Sequence, residues 1–508
     1  MSLIQAVKRY FLASTRKTQK RGFFAATLDR LTTGWSTSSG QIDSDLRGDV
    51  AVLRSRAREL AKNNDYAKKY LRLVKQNVIG SDGFILQVKA YDLIKVNGKD
   101  RKSLDEYANR VIEEHFYKWG DNFHADITGK LTFRKLIEVI LLAILRDGEI
   151  FVRKITGGNV NPYGFSLQLI PADYIDHTYN LELKNGKYIR MGIEYDSYGR
   201  PVAYHVTKQM NANTDLWSSI PTGDRVRIPA ADIIHLFDQE HAIQSRGYSW
   251  LTQSMWRLFQ LGKFEEASVV NARVAAAKMG FFKDSANAGL DGEYREDQDG
   301  NLIDAVEPGS FQYIGDKDFV GFDPKFPTDQ YEAFTKRQLM GIASGMGVSY
   351  NTLCNDLEGV SYSSIRAGLL DEREFYKEIQ GYLRDYFLIP VFSAWLKQFL
   401  ISGLTVLPAA KYDKFNQPVF IGRRWQWVDP LKDVQASKLA VEQGFKTRQQ
   451  VISEQGGDFL ETMEALQYEQ EVIQNLNIKI GDTNESDTNS GAGANDQTSP
   501  DDTAGNIE

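Results

Sequence analysis

Apolar positions in the first third of the chain fall at helical spacing. Over residues 47–78, Leu53, Ala57, Leu60 and Ala61 share one helix face, and Tyr70, Val74 and Val78 continue the pattern. The turn residues of "IGSDG" at 79–83 end it. A second helix is expected over 103–119. After it, "LTFRKLIEVILLAILRDGEIFVRK" predicts a buried helix that stops at Asp147-Gly148 and a strand from Ile150. The period then changes. "FSLQLI", "KYIRMGIEYD", "PVAYHVTK" and "ADIIHLF" mark residues 165–237 as β-rich, with "DSYGRP" as a turn.

Helical spacing returns over 249–280, where Leu251, Met255, Leu258, Phe264 and Val274 form a stripe and Ala272, Ala275, Ala276 and Ala277 permit close packing. An insertion at 281–327 holds acidic turns and short strand-like pieces. Two helices follow, at 329–345 (Tyr331, Phe334, Gln338, Ile342) and 364–387 (Ile365, Leu369, Tyr376, Ile379, Leu383, Tyr386). The C-terminal part also reads as helical. Asp429-Pro430 fits a cap with Pro at the first helical position, and Thr447–Gln450 and Asp458–Glu461 fit capping boxes. Beyond Gly481 the near absence of apolar residues predicts disorder.

A length of 508 residues corresponds to about three structural units. The single Cys354 forms no internal disulfide, which fits a reducing compartment. The longest apolar run, Val139 to Leu145, is far short of the roughly 18 residues of a membrane span, so no membrane insertion by the chain itself is expected. "MSLIQAVKRYFLAS" lacks a basic stretch ahead of its apolar segment and reads as a mobile basic arm rather than a secretory signal; an amphipathic helix binding a membrane or partner is the alternative. The formal net charge of −6 is unevenly spread: residues 1–30 carry seven Lys or Arg and one acid, and residues 481–508 carry seven acids and no base. The body between holds 54 bases against 59 acids, unlike the basic domain of a dedicated sequence-specific DNA binder.

The candidate chemistry is sparse. "LEGVSYSSIRAGLLDEREFY" at 357–376 contains G-x-S-x-S, one residue short of a nucleophile elbow. A serine hydrolase using Ser361 is therefore an alternative reading. All six histidines, at 115, 124, 177, 205, 235 and 241, precede that serine, whereas in the α/β-hydrolase order the catalytic histidine follows it. The simpler expectation is that Ser363 or Ser364 caps the next helix. His235 and His241 do not match a zinc pair, and His235 inside "IIHLF" reads as a satisfied core residue. "REDQDGNLIDAV" at 295–306 resembles a calcium loop only in its middle and reads as an acidic turn. No Walker A sequence occurs. "RRWQWVDP" allows a single-stranded nucleic-acid platform of Trp425, Trp427, Arg423 and Arg424, but reads better as a packed strand. No catalytic residue, cofactor or metal is assigned.

The order of segments carries more information than any one site. "LRSRARELAKNNDYAKKYLRLVKQNVIGSDG", "RDGEIFVR", "LQLIPADYID", "GIEYDSYGRPVAYHV", "IPAADIIHLF", "SRGYSWL", "GVSYNTLCNDLEGVSYSSIRAGLLDERE" and "WVDPLKDVQASKLAVEQGFKT" together resemble the portal proteins of lambda-type tailed bacteriophages, over roughly residues 45–460. The resemblance implies an α+β fold of portal-type architecture. It comprises a mixed α/β wing, a two-helix stem, a small inserted clip and a helical crown, assembling into a closed ring. The implied parts are a basic N-terminal arm (1–44), the wing (45–248 and 364–430), stem helices (249–280 and 328–346), the clip (281–327), a tunnel loop (347–363), the crown (431–480) and a disordered acidic tail (481–508).

Members of that family form a ring, typically of twelve subunits, at one capsid vertex. Double-stranded DNA passes through it non-specifically during packaging and ejection. The resemblance thus implies a head-tail connector of the virion, assembled in the host cytoplasm. Its implied partners are the terminase large subunit, scaffold, the major capsid protein and a head-tail adaptor. Asn355, Asp356, Glu358, Gly359, Ser361, Tyr362, Ser363, Ser364 and Arg366 become a tunnel loop and helix cap, with Arg366 and Asp371, Glu372 and Glu374 pairing within or between subunits.

Overall fold

The computed structural model describes residues 40–96, 99–207, 224–276, 280–284, 317–321, 331–425, 430–454, 457 and 459–476. The basic arm, the acidic loop at 295–306, Trp427, the Asp458 box and the acidic tail lie outside them. The chain divides into two compact units, each built from separated stretches. The first holds residues 1–71, 139–155 and 167–355, and the second 72–138, 156–166 and 356–508.

The first helical stretch is two helices, α1 (Ile42–Asn63) and α2 (Asp65–Val78). Asn64 separates them in extended conformation, and its Oδ1 accepts the Ala67 amide at 3.0 Å, so it caps α2. The buried face of α1 is Leu46, Val50, Arg54, Ala57 and Ala61, one step round from the expected stripe because a buried arginine belongs to it.

In the first unit, β4 (Glu149–Thr156) contributes most of its length to a three-stranded sheet, between β11 (Ile233–Phe237) and β5 (Phe165–Pro171). A five-stranded antiparallel sheet has the order β10 (Arg225–Pro229), β9 (Pro201–Thr207), β8 (Ile193–Tyr195), β7 (Tyr188–Arg190), β6 (Leu181–Glu182). The stretch expected as one strand, "KYIRMGIEYD", folds back on itself. Met191 (φ 48°) and Gly192 (φ 82°) form a two-residue turn that pairs Arg190 with Ile193. A core of Phe151, Ile170, Ile175, Ile193, Tyr204, Val206, Ile228 and Ile233 joins the two sheets.

The same unit carries α5 (Thr252–Ala276) and α6 (Tyr331–Gly345). Leu339, Ile342 and Ala343 of α6 are buried, and Ser254 Oγ donates to Ile342 O at 3.1 Å. Phe264 stacks against Tyr331 and meets Phe334 edge-on. Of the insertion between these helices, the described pieces are two antiparallel strands, β12 (Gly280–Asp284) and β13 (Lys317–Gly321).

The second unit is organised by aromatic packing. On α3 (Glu106–Asp121), Phe116 contacts Phe133, Phe392, Trp395 and Phe420, and the buried Trp119 donates Nε1–H to Phe165 O at 2.9 Å. Phe133 opens α4 (Phe133–Asp147), whose last residues belong to the first unit. Trp395 and Phe399 stack at 4.9 Å on α9 (Ile389–Ile401). The helix expected over 364–387 begins at Tyr362 as α8 (Tyr362–Leu383) and passes through a π-turn, Arg384–Leu388, into α9. Two features were not anticipated: a hairpin of β2 (Tyr91–Val96) and β3 (Lys99–Leu104), and the pairing of β1 (Ile85–Val88) with β14 (Pro418–Ile421). The predicted helix at 103–119 accordingly starts later, capped by Asp105, whose Oδ1 accepts the Ala108 amide at 3.1 Å.

Toward the C-terminus lie α11 (Pro430–Glu442), α12 (Arg448–Glu454) and α13 (Phe459–Leu476), after a one-turn α10 (Tyr412–Phe415). The Thr447 box forms as expected: Thr447 Oγ1 accepts the Gln450 amide at 3.1 Å, and Gln450 Oε1 accepts the Thr447 amide at 2.8 Å.

Candidate functional site

The serine-rich segment belongs to both units and is built as two separate ends. In the first unit Ser349 caps α7 (Tyr350–Cys354), its Oγ accepting the Thr352 amide at 3.2 Å. The helix stops at Asn355, which adopts the left-handed conformation (φ 55°) that asparagine tolerates better than most side chains. Lys69 Nζ donates to Asn355 Oδ1 at 2.8 Å.

From Asp356 onward the segment belongs to the second unit. Asp356 Oδ1 accepts the Glu358 amide at 3.0 Å, a local turn that leaves Leu357 66% exposed. Gly359 has φ +68° and open space where a side chain would stand. Ser361 then caps α8, its Oγ accepting the Ser364 amide at 3.3 Å. The expected caps, Ser363 and Ser364, are the second and third residues of the helix. A residue there offers an amide to be capped, so the role falls to the serine before Tyr362. Arg366 pairs with Asp433 at 3.3 Å rather than with the acids of its own helix, and Glu374 pairs with Lys377 at 2.6 Å.

Among the described residues, the contacts of Ser361 Oγ are those of a helix cap. Ser361 Oγ is surrounded by Ser363 Oγ at 3.1 Å, Ser364 Oγ at 2.9 Å and the Ser364 amide. No histidine or carboxylate is among those contacts to take its proton. Of the tryptophan platform, Trp425, Arg423 and Arg424 are described, and Trp427 lies outside the described residues. The strand ends at Ile421, and beyond it Arg423 donates to the carbonyl of Gln76. Trp425 lies beyond the strand, donates to Asn77 Oδ1 at 3.1 Å, and stacks on Tyr376 at 6.2 Å with Arg373 over its ring.

A family model described as "Phage portal protein, lambda family" matches residues 28–380. The chain belongs to that family. Among its relatives, a probable portal protein of Halomonas phage phiHAP-1 is 34% identical over 437 residues, covering 85% of this chain and 82% of the relative. The portal protein of Escherichia phage N15 is 21% identical over 84% of this chain and 85% of its own length. Portal protein B of Escherichia phage lambda is 20% identical over the same shares. A solved chain from the neck of a native GTA particle computed with C12 symmetry is similar at 14% identity and TM-score 0.41, covering 80% of this chain and 93% of that chain.

This phage portal protein also contains a buried charge centre that sequence reading missed. Arg246 is fully buried and donates to Glu149, to Ile175 O at 3.0 Å, Met191 O at 2.9 Å and Ala172 O at 3.0 Å. Glu149 also accepts from Arg54 at 3.0 Å and is 2.9 Å from His235 Nε2. Burial alone would raise the Glu149 pKa. The adjacent Arg246 guanidinium and His235 outweigh burial and hold it well below the usual carboxylate range. Burial pushes the His235 imidazole down, against the pull of Glu149. His235 stacks on Phe151 at 4.1 Å and is the satisfied core residue its setting suggested. The centre joins β4, β11 and α1 to the segment around Arg246, and its His235 edge lines a cavity of about 550 Å³. The one local hint was an acid directly ahead of an apolar strand, in "DGEIFV".

Proposed function

We propose that this portal protein closes into a ring, of twelve subunits as is typical of its family, and serves as the channel for double-stranded DNA at one capsid vertex. In this reading residues 45–248 and 364–430 are the wing, 249–280 and 328–346 the stem, 281–327 the clip, 431–480 the crown and 347–363 the tunnel loop. Asn355, Asp356, Glu358, Gly359, Ser361, Tyr362, Ser363, Ser364 and Arg366 form the segment nearest passing DNA. The terminase large subunit, scaffold, major capsid protein and a head-tail adaptor are its partners, in the host cytoplasm during assembly and in the virion afterwards.

Family membership over residues 28–380 carries this reading. Surface chemistry supports it. Trp256 is 69% exposed and Val269 64%, and Phe259 and Val270 are exposed to a lesser degree, all on α5. Apolar surface of that kind marks a protein contact. The near balance of charge in the body suits DNA that must slide, because each neutralised phosphate adds salt-dependent grip. Light scattering and negative-stain images of the purified chain test the proposal. Rings with a central hole wide enough for duplex DNA are expected. A chain that stays monomeric at high concentration, even with capsid partners added, would overturn it.

A further inference from the structure

One face of α5 borders a groove of about 380 Å³, whose α1 wall is Leu53, Arg56, Glu59 and Leu60 and whose α5 wall is Thr252, Met255, Trp256 and Phe259. The contacts of α5 with α6 involve Ser254 and Phe264, with Arg257 beside Gly341. At 3.6 residues per turn those positions lie on the flank opposite Thr252, Trp256 and Phe259. The α5–α6 pair therefore has two different sides. The free side of α6, by the same period, is Ala333, Arg337, Met340 and Ser344, all exposed. Among the described residues Arg337 makes no ion pair, while the groove rim offers Glu59, which lies beside Arg56 and within electrostatic reach of Lys263.

We propose that the α1–α5 groove of one copy receives the outer ridge of α6 from a second copy, with Met340 against Trp256 and Phe259 and Arg337 against Glu59. This inference rests on the ring reading above and assigns it a specific contact. Arg337 and Glu59 carry opposite charge. A ridge of small and unbranched side chains at four- and three-residue spacing fits a groove between helices. The exposed Trp256 supplies the aromatic anchor that interface centres favour. Because groove and ridge are different surfaces on opposite sides, the contact is heterologous, the kind that repeats around a ring.

The test uses the full chain and reads assembly by mass photometry and negative stain. Glu59→Arg alone and Arg337→Glu alone should each lower the ring fraction about tenfold, since each places like charges together. The double variant should restore rings. In a Cys354→Ser background, E59C combined with R337C should give a ladder of disulfide-linked multimers under mild oxidation. Circular dichroism and melting of each variant separate lost assembly from lost folding. If both single reversals form rings as the wild type does and no ladder appears, the contact is wrong and the portal reading stands. A wild type that forms no rings overturns the portal reading, and this contact with it.

Discussion

Arg246 has five N–H donors, and each finds an acceptor: Glu149 twice, and the carbonyls of Ala172, Ile175 and Met191. A lysine has three donors and no fork, so Arg246→Lys is not conservative here. Removing the guanidinium leaves Glu149 buried with Arg54, His235 and the Gly247 amide as its partners. We expect Arg246→Ala to cost about 3–5 kcal/mol, seen as a lower denaturant midpoint. The pH response has a definite sign. Glu149 titrates lower in the folded chain than in the unfolded one, so its contribution is whole above about pH 4.3 and is lost as pH falls toward the folded value. His235 is also depressed, so below about pH 6.5 the unfolded state gains a proton that the folded state refuses. Stability should therefore fall with acid in two stages, and Glu149→Gln should flatten the lower one in melting curves taken from pH 7 to pH 3. Little of this centre is legible in sequence. Glu149 and Arg246 are 97 positions apart, and only the acid ahead of the apolar run in "DGEIFV" hints that a partner is needed. His235 was readable because a lone histidine among apolar residues must be satisfied to be buried.

At the scale of elements, the junction between α4 and β4 depends on glycine. Gly148 has φ +89°, and an added methyl would collide with the backbone of Tyr248; at Gly247 it would collide with Gly148 O. The two backbones touch, which brings Glu149 within reach of Arg246. Gly148→Ala should therefore be more damaging than an ordinary glycine substitution, giving insoluble or protease-sensitive protein in limited proteolysis. The caps are milder cases. Ser361→Ala and Thr447→Ala should each cost about 1 kcal/mol by thermal melting, and Ser361→Ala should leave any esterase background unchanged. Helices were legible where apolar residues recur at helical spacing, as along α2, and where a capping pair marks the start, as at Thr447. The misreadings had local causes. Met191 occupies a left-handed turn position that usually announces itself as Asn or Gly, so one strand was expected where two fold back. Asn64 is a mild breaker inside a strong helical pattern, and the β1–β14 pair joins stretches far apart in the chain. The serine cap was placed too late because three serines crowd the helix start.

Over the whole molecule, the chain passes between its two units five times, after residues 71, 138, 155, 166 and 355. A fragment spanning 40–355 would contain the described part of the first unit, yet Phe116 would lack Phe392, Trp395 and Phe420. It should show disordered aromatic packing by near-ultraviolet circular dichroism, while the full chain does not. The proposed DNA channel makes a further prediction at this scale. Asp356→Lys together with Glu358→Lys should tighten duplex binding by assembled rings and steepen the salt dependence, by about 0.9 in log–log slope per added phosphate contact. Weak binding that does not change would argue that the segment faces away from DNA. The family was legible from the order of segments, although no single motif was decisive. The charge centre has a consequence in time. Translation at about 5–20 residues per second leaves Glu149 waiting about 5–20 seconds for Arg246, 97 residues later, to be made. During that interval β4 carries a carboxylate that cannot yet be buried favourably. The first unit therefore locks late, and ribosome-bound chains stalled before residue 246 emerges should be digested by protease at β4 while longer ones resist.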